Sequence, residues 1–148
     1  FDYYDPLTTH DSSLSVCIQS IIANRIGYHE RALEYFRFAA TMDLSDVGGN
    51  VRHGANIASI GGSWLSLAYG FGGLDDAGGR IAFAPCVPPA WGALTFHLEV
   101  RGSRLRVELT PERATYSLLD GPPLELAHRG TPVRLDARTR SVTLYERS

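Results

Sequence analysis

The feature that most constrains this chain is a change of period. As far as about residue 69, apolar residues recur three and four apart; from residue 81 they alternate with polar ones, and the glycine-rich "GFGGLDDAGGR" at 70–80 lies between. A period near 3.6 gives a helix one apolar face, whereas a period of two gives one to a strand. A chain that switches once predicts helices followed by sheet, each with its own core. We therefore expect a helical part over 1–80 and a sheet part over 81–148.

In the first part, Leu14, Cys17, Ile18, Ile21, Ile22 and Ile26 predict an amphipathic helix over 12–26, capped by Asp11 or Ser12 and ended by Gly27. Ala32, Leu33, Tyr35, Phe36, Ala39 and Ala40 predict a second helix over 29–42, with Glu30, Arg31, Glu34 and Arg37 outside. The short glycine hinge makes the two antiparallel neighbours. A third helix is expected from about Ala55 to Tyr69. In the second part, alternating segments at 81–84, 94–101, 104–110, 113–119, 124–128, 132–136 and 141–146 are separated by turns such as "RGS", "DGPP" and "HRGTP". Short strands at this spacing predict an antiparallel β-sandwich. Trp91, Phe96 and Tyr116 are candidate sugar platforms there, although packing suits their positions better, since large aromatics dominate cores.

Two motifs could carry chemistry. "TTHDSSLS" at 8–15 puts His10, Ser12 and Ser13 at a helix start, where unpaired N–H groups and the helix dipole favour an anion; an ordinary N-cap cluster accounts for the same residues. "VRHGANIASIGGSWLSLAYGFGG" at 51–73 places Gly61 and Gly62 inside a helical pattern at a cost of about 1 kcal/mol each relative to alanine. With Ala58 they clear a face for close approach, either of a ligand, with Asn56 and Ser59 as donors, or of another helix. Trp64 and Leu65 are expected on the buried side of that turn.

Other chemistries are set aside by residue type. All 14 basic residues are arginine, which removes lysine Schiff bases and Walker-type phosphate lysines. His10, His29, His53, His97 and His128 show no metal-ligand spacing, and no G-x-S-x-G elbow occurs, so neither a metal nor a cofactor is expected. A net charge of −2 argues against nucleic acid. No run of 18 apolar residues and no signal-peptide pattern occur. Cys17 and Cys86 fit no paired motif, and reduced thiols in a cytoplasmic protein are the expectation. Opening on Phe1, directly into dense sequence, the chain reads as the C-terminal piece of something larger.

The ordered stretches "YYDPLTTHDSSLS", "DLSDVGGNVRHGANIASIGGSW", "YGFGGL", "FAPCVPPAWGALTFHLEVRGSRLRVEL" and "SLLDGPPLELAHRG" resemble the C-terminal end of glycoside hydrolase family 65, which includes maltose, trehalose and kojibiose phosphorylases and a minority of hydrolases. The resemblance implies the last helices of an (α/α)6 barrel over 1–80 and a C-terminal β-sandwich over 81–148. It further implies an inverting enzyme: a glutamic acid protonates the glycosidic oxygen while phosphate attacks the opposite face. That glutamate lies upstream in the family, so no catalytic residue is assigned here. By the same resemblance, His10, Ser12, Ser13, Asn56, Ser59, Gly61 and Gly62 are the phosphate-binding candidates. The family's phosphorylases commonly carry histidine at the position of Asn56, which leaves a hydrolase open. The implied partners are a disaccharide and inorganic phosphate, and a homodimer of the full-length enzyme stays open.

Overall fold

The computed structural model describes residues 1–8, 13–42 and 57–146, the side chains of Ser13 and Leu14 excepted. The chain divides into two compact units, Phe1–Phe71 and Gly72–Ser148.

In the first unit a 3-10 turn, Asp5–Leu7, precedes α1 (Ser13–Arg25), α2 (His29–Thr41) and α3 (Ile57–Leu65), which continues as a π-helical segment, Ser66–Phe71. α1 ends where the glycine was expected to end it. Gly27 sits at φ 90°, its N–H reaches Asn24 O at 3.2 Å and that of Tyr28 reaches Ala23 O at 2.8 Å, the two bonds of a Schellman motif.

The apolar stripe expected for α1 is corrected. Its buried face is Val16, Cys17, Ser20, Ala23 and Asn24, while Ile18, Ile22 and Ile26 are exposed. The helix is apolar on both sides, and the side with small residues is the one that admits neighbouring helices at short range. A Cβ on Gly62 of α3 would lie 2.5 Å from Cys17 Sγ, closer than side-chain carbons approach sulfur. Hydroxyls serve the carbonyls brought close by this packing. Ser20 Oγ donates to Ala32 O at 2.8 Å, Ser59 Oγ to Ala39 O at 3.1 Å, and Ser66 Oγ lies 3.1 Å from both Cys17 O and Gly62 O. Asn24 Nδ2 donates to Gly70 O at 2.9 Å, taking up a carbonyl at the end of the widened helix. These contacts fix direction: α2 runs against α1, and α3 runs with it.

The second unit is a sandwich of two sheets, β1-β2-β6-β7 and β3-β4-β5-β8. Its strands are β1 (Leu74–Asp75), β2 (Ile81–Phe83), β3 (Leu94–Val100), β4 (Ser103–Leu109), β5 (Arg113–Asp120), β6 (Leu124–His128), β7 (Thr131–Leu135) and β8 (Ser141–Tyr145). Alternation does the sorting: in β4, Ser103, Leu105, Val107 and Leu109 face inward and the residues between them do not. Phe83 of β2 packs on Tyr116 of β5, ring centres 5.0 Å apart. Phe96 and Tyr116 are buried, in the packing role rather than as sugar platforms, and Trp91 is half-buried. The β3–β4 and β6–β7 hairpins turn on Arg101-Gly102 and Arg129-Gly130, all four with positive φ, as in type I′ turns.

Two expectations change here. One sheet is mixed rather than antiparallel, because β2 pairs in parallel with β6, Ile81 opposite Leu126. Alternation reports which residues share a face and carries nothing about strand direction. Strands were expected from residue 81 onward, but the glycine-rich stretch already contains one, β1, which pairs with β2, and Gly73, at φ 63°, sits so near the Ala84 carbonyl that no side chain fits.

Candidate functional site

The two motifs converge through the direction of α1 and α3. Cys17 meets Gly62 and Asn24 meets Gly70, so equivalent points on the two helices are at the same level. A rise of about 1.5 Å per residue carries both helices about 6 Å back from that level, to Ser13 on α1 and Ala58 on α3. Both N-termini therefore lie at one end of the helical unit. Each helix start has N–H groups without an intrahelical acceptor and a dipole end worth about half a positive charge. Two such ends side by side add the positive ends of both helix dipoles at that level.

Of the seven candidates, His10, Ser12 and Asn56 lie outside the described residues. Ser13 is the first residue of α1. Ser59, Gly61 and Gly62 share one turn of α3. Ser59 is 3% exposed, and its hydroxyl donates inward to Ala39 O, so the side chain serves the packing of α3 on α2. The glycine pair splits between the two readings open for it. Gly62 is a packing glycine pressed on Cys17, whereas a Cβ on Gly61 would meet nothing within 4 Å, so Gly61 offers bare, approachable backbone. Trp64 and Leu65, expected on the buried side, are exposed; the buried line of this helix is Ser59, Gly62 and Ser66, and the large residues occupy the opposite side. Next to the buried face, the Cys17 thiol is pushed above its ordinary value, chiefly by burial.

A second group, not foreseen from spacing, anchors the residues before the first motif. Tyr35 on α2 donates its hydroxyl to Asp5 Oδ1 at 2.5 Å, while Arg31 Nε donates to Tyr35 Oη at 3.1 Å and its guanidinium lies 4.9 Å from the Tyr35 ring centre. Burial and then the bond to Asp5 raise the Tyr35 hydroxyl above its usual range. Arg31 and Tyr35 stand four apart on one helix, a spacing that places them together; the thirty residues to Asp5 carry no such signal. The turn from Asp5 to Leu7 is thus tied to α2 just ahead of His10, Ser12 and Ser13.

Among the described residues no three His, Cys, Asp or Glu side chains cluster as metal ligands, and no helix is long and apolar enough to cross a membrane.

Comparison with known proteins follows the same division. Residues 1–65 match the glycosyl hydrolase family 65 central catalytic domain and residues 74–135 match the C-terminal domain of that family. The chain is 41% identical to an α,α-trehalose phosphorylase of Thermoanaerobacter brockii, over 92% of its own length and 18% of that protein. It is 33% identical to a maltose phosphorylase of Bacillus subtilis, over 99% of its length and 19% of that protein. A solved structure from the human microbiome, described as a candidate kojibiose phosphorylase, superposes with a TM-score of 0.90 at 28% identity, over 99% of this chain and 21% of that one. The chain thus spans about a fifth of the length of these relatives.

Proposed function

The chain belongs to glycosyl hydrolase family 65, and from that premise we propose that it is part of an inverting α-glucoside phosphorylase, which cleaves a glucosyl disaccharide with inorganic phosphate to give glucose 1-phosphate. The observation that carries this reading is the similarity of both units, in order, to proteins named as trehalose, maltose and kojibiose phosphorylases. In this account the helical unit completes an (α/α)6 barrel whose other helices cover the exposed Ile18, Ile22, Ile57 and Ile60. The sandwich is the supporting C-terminal domain.

The chemistry then divides between this chain and the rest of the enzyme. A glutamic acid outside the chain protonates the glycosidic oxygen, and phosphate attacks the anomeric carbon from the opposite face. The paired N-termini of α1 and α3 supply the field and N–H groups that hold phosphate there. His10, Ser12 and Ser13 act from the first motif, and Asn56, Ser59 and Gly61 from the second. Gly62 serves by letting α3 down onto α1, which brings the two N-termini level.

Hydrolysis is the second reading, and Asn56 is the residue that favours it. An amide gives a neutral donor and acceptor where the family's phosphorylases commonly carry a donor that can be charged, which suits a water better than it suits phosphate. Initial rates of the full-length enzyme on trehalose, maltose and kojibiose, measured against phosphate concentration, separate the two. Phosphorolysis gives saturation in phosphate with equal amounts of glucose and glucose 1-phosphate. A rate independent of phosphate, with free glucose alone, refutes it.

A further inference from the structure

A chain of polar groups crosses the interior of the sandwich and is used by nothing described above. Tyr116, fully buried on β5, has its hydroxyl 2.8 Å from Nδ1 of His128 on β6, itself 5% exposed. On the far side of the ring, Nε2 is 3.4 Å from Oε1 of Glu146, the residue that follows β8. The Glu146 side chain is 15% exposed, and its Oε1, a buried atom, makes no hydrogen bond. Its other oxygen accepts from Arg129 Nε at 2.6 Å, and Arg129 also donates to Pro85 O at 2.5 Å. β5 and β8 belong to one sheet and β6 to the other, so the chain of groups ties the sheets together.

The strand at its end lies at the margin of the sandwich. β8 is the edge of its sheet, and none of its five residues is fully buried. Beyond its ladder with β5, the Thr115–Thr143 and Ser117–Ser141 hydroxyl contacts at 2.9 Å and the bond from Glu146 N to Glu112 O at 2.8 Å, β8 is held to the interior by half-buried Val142 and Leu144 and by the Glu146 side chain.

We propose that Tyr116, His128 and Glu146 form a proton-operated clasp, closed while His128 is neutral, whose opening on protonation loosens β8 from the sandwich. With one proton, on Nε2, the ring accepts at Nδ1 from the Tyr116 hydroxyl and keeps Glu146 Oε1 within ion-pair reach at 3.4 Å on its other side. A second proton turns Nδ1 into a donor facing another donor. The Tyr116 hydrogen must then turn into an apolar interior beside Phe83. The charged or titratable side chains that face the imidazole are Tyr116 from β5, Glu146 from beyond β8 and Arg129 from the turn after β6; β2 presents Phe83. Glu146 favours the imidazolium, but Arg129 already engages its carboxylate and itself repels the cation. The balance agrees with the direction of the His128 titration, pulled below its ordinary 6.5 mainly by burial, with Glu146 opposing and Arg129 assisting.

The sign follows. A histidine whose folded value is depressed contributes stability above the unfolded value of about 6.5, and that stability is lost as pH falls through it toward the folded value. Within that window the constant for closing β8 should fall by up to about tenfold per pH unit.

Hydrogen exchange on the full-length protein at about pH 7.5 and about pH 5.5, either side of the ordinary imidazole range, tests this once rates are expressed as protection factors. Protection of Ser141–Tyr145 should fall several-fold at the lower pH relative to Ser103–Leu109. In His128→Gln, which cannot gain the proton, the difference between the two pH values should vanish. In Glu146→Gln, which removes the charge favouring imidazolium in the closed state, the loss should begin at the same pH but continue to lower pH and so become larger, and β8 should be less protected at neutral pH. Equal protection of β8 at both pH values in the wild type overturns the proposal, as does a full pH response in His128→Gln. Should that variant fail to fold, a loss in Glu146→Gln that levels off at the same pH and depth as in the wild type overturns it.

Discussion

Replacing Gly62 by alanine sets two known effects against each other at one position. Alanine in a helix interior gains about 1 kcal/mol over glycine. Here its Cβ would stand 2.5 Å from Cys17 Sγ and 3.1 Å from Cys17 Cβ, with Cys17 1% exposed. Sulfur can rotate away only into the packed face shared with Ser66 and Ala39, and the Cβ contact remains after it does. Overpacking of this kind costs about 1–3 kcal/mol, so Gly62→Ala should be net destabilising by roughly 1 kcal/mol in spite of its better helix propensity. The cause is isolated by a double-mutant cycle in the full-length enzyme, followed by denaturant unfolding and by KM for phosphate. Cys17→Ala alone should cost about 1 kcal/mol for the lost sulfur, and Cys17→Ala with Gly62→Ala should be more stable than the sum of the two single changes by about 1 kcal/mol or more. KM for phosphate should rise in Gly62→Ala, where α3 is pushed off α1, and return towards wild type in the double variant. Gly62→Ala at or above wild-type stability, or no coupling between the two positions, would refute the reasoning.

Ser59→Ala should lose about 0.5–1.5 kcal/mol of stability with its bond to Ala39 O, read from denaturant midpoints, while KM for phosphate rises less than about threefold, because the hydroxyl proton points inward. Asn56→His should tighten phosphate most below the pKa of the new histidine, where imidazolium adds attraction that an amide lacks; KM for phosphate across pH reads this out, and a pH-independent ratio to wild type would remove Asn56 from the phosphate site. The 148-residue chain on its own should associate, since Ile18, Ile22, Ile57, Ile60 and Trp64 are exposed on the helical unit, and should release no glucose 1-phosphate from any of the three disaccharides. Sedimentation of a single monomeric species would contradict the first part and detectable sugar phosphate the second.

Element positions were legible in the sequence wherever one period ran for several residues. The helix starting at His29 and the strand over 124–128 fall where the pattern put them, because spacing and the flanking turns both speak for them. Faces were harder. On α1 the largest apolar residues suggested the buried stripe, yet Ile18, Ile22 and Ile26 lie outside, because the neighbouring helices sit too close for isoleucine and select Cys17, Ser20 and Ala23 instead. Strand direction at β2 was silent, since β6, its parallel partner, is more than forty residues away and alternation is blind to orientation. Of the candidate site, the two motifs could be named from residue type, but their common level depends on α1 and α3 running the same way, a fact carried by Asn24 and Gly70. The Tyr116–His128–Glu146 chain had no local signature, because its members come from three strands or strand ends and meet only when the sandwich closes. The spacing of His128 in the sequence bears only on metal ligation, which says nothing about a buried tyrosine partner.

The most direct test of the central claim is the configuration of the product. If phosphate takes the position proposed for it, on the face opposite the leaving sugar, full-length enzyme supplied with an α-linked glucobiose and phosphate should release β-glucose 1-phosphate at early times, identified by phosphorus and proton NMR before any anomer exchange. Early formation of the β-anomer, in equal amount with free glucose, is the predicted result. Release of glucose with no phosphate ester, or of the α-anomer as first product, would contradict the account.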